Sequence, residues 1–219
     1  MRRLLLYVFL TAFFLVGVQG TAQSTPVTFD LVGVEDANLI ATVQFSYDAG
    51  TAVIDIAISN QSLPSAGPDS RLTALAFNLP DSVVGIASFA VAVDDATAPD
   101  RWAVLFDRDG IDTPGRFGFF DIAAITGPNF SGGFPNAGVR PGSTLYLQIA
   151  LTGSNLELLD ESSFLNLFSS QRSGRRKSRE NVQYFIGRFQ RTGQEGDGSD
   201  VAIPNGTPTE PLPDTSIVQ

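Results

Sequence analysis

Asn181–Pro204 reads N-V-Q-Y-F-I-G-R-F-Q-R-T-G-Q-E-G-D-G-S-D-V-A-I-P, and its first half decides the fold class. An extended chain sends successive side chains to opposite sides. In Val182–Thr192, Val182, Tyr184, Ile186, Arg188 and Gln190 therefore share one side, and Gln183, Phe185, Gly187, Phe189 and Arg191 share the other. The centre is apolar on both sides, which is the pattern of a strand lying inside a sheet rather than at its rim. Gly193–Asp200 interrupts the pattern with three glycines and three acids, so the strand is expected to stop there and the chain to run out into a tail.

A central strand needs partners, and the preceding chain supplies them. Val27–Val34 and Leu39–Tyr47 alternate, and Asp48-Ala49-Gly50 is a turn from which Thr51–Ser59 returns. In that hairpin Val43, Phe45 and Tyr47 share one face of the first strand, and Ile54, Ile56 and Ile58 share one face of the second. Leu72–Leu79, Val83–Val93, Arg101–Phe106, Gly115–Ala124 and Ser143–Leu151 read as further strands. Asp94–Asp100 and Asp107–Asp112 read as acidic loops, and Ile125–Gly142 as a long Gly/Pro loop. Asp160–Ser170 is the one helix candidate, with Phe164, Leu165 and Phe168 as its apolar stripe. Many strands, no βαβ alternation and one short helix before the last strand predict an all-β fold. The expected form is an antiparallel two-sheet β-sandwich of jelly-roll or immunoglobulin-like architecture.

Met1–Ala22 has the form of a secretory signal peptide. Arg2 and Arg3 precede the apolar run Leu4–Val18, and small residues follow at Gly20 and Ala22. Cleavage is expected after Ala22 or Gly20, giving a secreted, extracellular protein. The run is shorter than the roughly 20 residues a spanning helix needs, so no stable membrane span is expected after cleavage. The domain is then 23–203, with a Pro/Thr-rich tail over 204–219. Two of the fourteen basic residues lie in the leader, so the mature chain carries twelve against twenty-three acids, a net charge of −11. That balance disfavours nucleic acid as a partner. The chain has neither Cys nor His. Disulfides, thiol chemistry and a Ser-His-Asp triad are excluded, and the commonest transition-metal ligand is missing.

Two segments carry a family resemblance. Ala41–Pro80 holds the hairpin, the Asn60-Gln61-Ser62 triplet and a strand closing on F-N-L-P; Phe185–Ala202 holds R-F-Q before a Gly-rich Ser-Asp loop. Together they resemble exported bacterial β-sandwich proteins of the PEP-CTERM-sorted type. The resemblance implies an envelope, biofilm or matrix role and no catalytic residue. Such proteins end in a Pro-Glu-Pro box, an apolar helix and basic residues. This sequence ends in Glu210-Pro211-Leu212-Pro213 and a polar tail, so free secretion is the expectation.

Three groups of residues offer chemistry. Asp107-Arg108-Asp109-Gly110-Ile111-Asp112 spaces Asp107, Asp109 and Asp112 around a glycine, as calcium ligation requires; Asp94, Asp95 and Asp100 lie nearby, and the plain alternative is a solvated acidic turn. Gly196–Asp200 is a weaker version of the same pattern. Arg172, Arg175, Arg176, Lys177 and Arg179 concentrate five cations in an acidic protein, suited to an anionic glycan or lipid headgroup or to the acidic face of another copy, the alternative being a solvated loop. Trp102, Tyr146 and Phe117, Phe119, Phe120, Phe130 and Phe134 offer stacking surfaces for sugars. Core packing is the alternative for those in strands, while Phe130 and Phe134 are expected to be exposed in their loop. The expected function is a secreted, non-catalytic structural, adhesive or glycan-binding module. Its partners would be a polysaccharide or another surface protein, with calcium as the candidate cofactor. Two alternatives stand: a glycan-active enzyme using the paired carboxylates Asp109 and Asp121, and a self-assembling surface subunit.

Overall fold

The computed structural model describes residues 25–94, 101–114, 117–170 and 182–206. Ten strands succeed one another: β1 (Val27–Gly33), β2 (Ile40–Asp48), β3 (Val53–Asn60), β4 (Arg71–Phe77), β5 (Val83–Val93), β6 (Ala103–Asp112), β7 (Phe119–Ile125), β8 (Thr144–Gly153), β9 (Phe185–Thr192) and β10 (Gly198–Pro204). The candidate helix contracts to α1 (Ser162–Leu165), whose Phe164 and Leu165 are buried. All the pairings are antiparallel, in the order β5-β8-β3-β2-β1-β10-β9-β4-β7-β6.

The all-β antiparallel class is as expected, but the strands form one sheet rather than two. Two separate sheets would show a break in the hydrogen-bonded ladder. Here β1 pairs with both β2 and β10, and β9 pairs with both β10 and β4, so the ladder is continuous. The terminal strands β5 and β6 are drawn together without pairing among the described residues, and the sheet is nearly closed into a barrel. Inward–outward alternation is the same for a sandwich and for a barrel, so the pattern that predicts strands cannot tell them apart.

Two expected loops are strands. Asp107–Asp112 belongs to β6, where a bulge between Phe106 and Ile111 absorbs the irregular D-R-D-G stretch and places Asp109 at φ 51°. The expected Gly/Asp loop over Gly193–Asp200 opens as a hairpin turn, from which β10 returns between β9 and β1. The β2–β3 hairpin forms in the register that unites its apolar faces, with Val43 opposite Ile58, Phe45 opposite Ile56 and Tyr47 opposite Ile54.

The inward faces make the main core, where Phe29, Phe45, Phe77 and Phe185 meet with aliphatic residues from β1, β2, β3, β4 and β8. A second cluster lies on the outer face of β4, β7 and β9. There Ala74, Ala76, Ala123, Ile125 and Ile186 pack with Phe130 of the Gly/Pro loop. Every residue of β4 is buried in consequence.

Tyr184 lies in the main core against Phe29, ring centroids 5.4 Å apart, and burial pushes its pKa up to about 12. The folded state thus holds the phenolic proton more tightly than the unfolded chain does. This contribution is whole below pH 10 and is lost as pH climbs from 10 towards 12, by at most about 1.4 kcal/mol per pH unit. The hydroxyl has no partner among the described residues, so Tyr184→Phe is expected to fold normally. It should reduce the decline of melting temperature between pH 10 and 12. Some decline should remain, because burial and then Asp48 and Glu157 also raise Tyr47. An unchanged alkaline decline would refute this assignment.

Candidate functional site

The outer face of β2, β3, β8 and β5 is set by register alone. Gln44 lies opposite Ala57, Ala57 opposite Tyr146, and Tyr146 opposite Ala92, giving one row across four strands. Two residues along, Ser46, Asp55, Gln148 and Ala90 form a parallel row in the same way. With strands spaced about 4.8 Å apart, each row is roughly 14 Å long. These residues face outward because the alternate positions Phe45, Ile56, Leu147 and Val91 are turned to the core.

Alanines beside larger side chains make this face a groove of about 380 Å³, with Pro26 at one end. Tyr146 is 49% exposed and has an alanine directly opposite it on each neighbouring strand. Polar groups lie in the adjoining row, where the Gln148 amide donates to Asp55 Oδ1 at 2.9 Å. An aromatic ring, two amides, a hydroxyl and a carboxylate on a rigid sheet can stack on an apolar face of a ligand and exchange hydrogen bonds with its hydroxyls. The face holds no charge-relay pair and no second carboxylate among its lining residues.

The residues singled out in the sequence are distributed differently. Asp107, Asp109 and Asp112 lie along β6 and its bulge, and no group of three acidic side chains among the described residues is gathered to hold a metal ion. Asp109 offers its backbone N–H, at 2.8 Å, to Asp121 Oδ1. Asp94 accepts the Thr144 N–H, while Asp95 and Asp100 lie outside the described residues. Asp200, from the second acidic segment, accepts the Glu35 and Asp36 N–H groups. Arg172, Arg175, Arg176, Lys177 and Arg179 all lie outside the described residues.

Of the aromatic residues, Trp102 is buried and donates to the Ala137 carbonyl at 3.0 Å. Phe117 and Phe120 are core. Phe130 is buried at 1% exposure, contrary to expectation, because the alanines on the outer face of β4 leave room for it. Phe134 is exposed, with the Arg101 guanidinium 5.7 Å from its ring centre. Asn60, of the Asn60-Gln61-Ser62 triplet, is buried, and its amide donates to the Ser70 and Val139 carbonyls. Comparison with protein-family models, with curated proteins and with solved structures gives no match to this chain.

Proposed function

We propose that this chain is a secreted, non-catalytic module that binds a polysaccharide of the cell envelope or extracellular matrix on the outer face of β2, β3, β8 and β5. The observation that carries this reading is Tyr146, half exposed between two alanines with Gln44, Gln148 and Asp55 around it. A pyranose presents an apolar C–H face and a rim of hydroxyls, and this surface offers the complement of both. The leader-like Met1–Ala22, the acidic composition and the resemblance to PEP-CTERM-sorted proteins support an extracellular setting.

The test is calorimetric titration of residues 23–219 with a panel of neutral and acidic oligosaccharides. Tyr146→Ala is expected to weaken the bound member about tenfold, or ~1.4 kcal/mol. Melting temperature should hold, since an exposed side chain away from buried networks contributes little to stability. Failure of every oligosaccharide to bind at millimolar concentration, or equal binding by Tyr146→Ala, would overturn the proposal.

A further inference from the structure

The two free edges of the sheet are built in opposite ways. Along β6, A-V-L-F-D-R-D-G-I-D carries four charges and a bulge, the devices that keep an edge strand from pairing with another chain. Along β5, V-V-G-I-A-S-F-A-V-A-V carries no charge and no proline over eleven residues. Its irregularities are confined to the first half. From Ser88 to Val93 it pairs with β8 in unbroken register, and its other edge has no ladder among the described residues. Six residues without a charge, glycine or proline, with the strand formers Phe89, Val91 and Val93 at alternate positions, are the type of segment that pairs with itself. Val84 and Phe89 are 69% and 45% exposed on this strand.

We infer that β5 is a docking edge for β5 of a second copy of this chain, joined antiparallel about a two-fold axis into one continuous sheet. Charge argues for this occupant. The chain has a net charge of −9, so two copies repel across most approaches, yet β5 brings no carboxylate to the contact. An antiparallel edge is also self-complementary: a two-fold at Ala90 sets Ser88 opposite Ala92 and Phe89 opposite Val91 of the second copy. The charged, bulged β6 edge does not repeat the contact, so assembly closes at two copies.

Such a dimer needs no glycan to form, yet it sets how two grooves would lie. β5 is the last strand under the groove, and the two-fold stands perpendicular to the sheet. Both grooves therefore open on the same face, with the two β8 strands three spacings, about 14 Å, apart. One polysaccharide chain could then engage both Tyr146 platforms, with the gain in avidity that linkage brings.

Sedimentation velocity of residues 23–219 from 1 to about 200 μM, at low and high sodium chloride, tests this. A dimer is expected that strengthens with salt, because screening removes net repulsion while the edge itself holds no ion pair. Ser88→Lys, and separately Ala87→Lys, should weaken it at least tenfold, since both positions are exposed in the single chain. Both variants should keep the parental melting temperature and oligosaccharide binding. A monomer throughout, a dimer weakened by salt, a dimer unmoved by both substitutions, or growth into larger assemblies would each overturn the inference.

Discussion

Asp121→Ala is expected to destabilise the fold by about 3–5 kcal/mol, a large part of the roughly 5–15 kcal/mol that holds a domain of this size together. Asp121 is 5% exposed, and donors already engage both of its oxygens. Oδ1 accepts the Asp109 N–H at 2.8 Å, while Oδ2 accepts the Leu79 N–H at 2.9 Å and approaches Arg108 at 3.4 Å. Arg108 in turn donates to the carbonyls of Leu79 at 3.0 Å, Pro80 at 3.1 Å and Val83. This cluster ties the β6 bulge to the corner between β4 and β5 and spans the unpaired seam at its Val83 end. Truncation leaves the buried Leu79 N–H without an acceptor, at about 1–3 kcal/mol, releases the Asp109 N–H of the exposed bulge, and deprives a guanidinium of its buried carboxylate.

Two variants distinguish this from a simple charge effect. Asp121→Asn keeps the shape but can accept at only one of the two oxygen positions, so its loss should be smaller. Asp81→Ala removes the exposed carboxylate 3.6 Å from Arg108 and should leave the urea midpoint where it was. The ordering is read from midpoints at constant denaturant slope. Equal midpoints for Asp121→Ala and the parent would show that the cluster contributes nothing.

How far the sequence discloses this arrangement depends on the range of the interaction. S-T-L-Y-L-Q-I-A-L at Ser143–Leu151 announces β8, and places Tyr146 and Gln148 on one face, because alternation is a local signal. The groove is not local. It exists because Tyr146 lies opposite Ala57 and Ala92, and those pairings follow from a strand order that propensity does not encode. The β6 bulge is misread for a physical reason: Asp, Arg and Gly in succession signal a loop, yet an edge strand with a solvated rim tolerates all three. Gly193–Asp197 signals a turn correctly, but G-S-D-V-A-I-P after it is apolar over only three residues and ends in proline, so β10 reads as the end of a loop and the approach to the tail. Phe130 resembles an exposed loop aromatic because nothing near it in sequence reveals the small residues Ala74 and Ala76, which receive it from β4.

Among the seventeen phenylalanines the same limit produces the other large expected effect. Phe185→Ala should cost about 3–5 kcal/mol, while Phe134→Ala should leave stability unmoved. Phe185 is fully buried, at 0% exposure, on the inward face of β9. Its ring stacks on Phe77 with centroids 5.5 Å apart and planes 2° from parallel, and meets Phe29 edge-on at 5.4 Å. Phe77 and Phe185 are also directly paired across β4 and β9, so the stack joins two strands at the place where the sheet is buried on both sides. Truncating either ring opens a cavity that close-packed strands cannot collapse to fill. Phe134, 48% exposed over the Gly/Pro loop, leaves no such cavity. A double-mutant cycle on Phe77 and Phe185 should return a coupling of about 0.5–1.5 kcal/mol, the excess of an aromatic pair over the area it buries. Strictly additive losses would mean that the two rings fill space independently, and that the stack adds nothing to the join between β4 and β9.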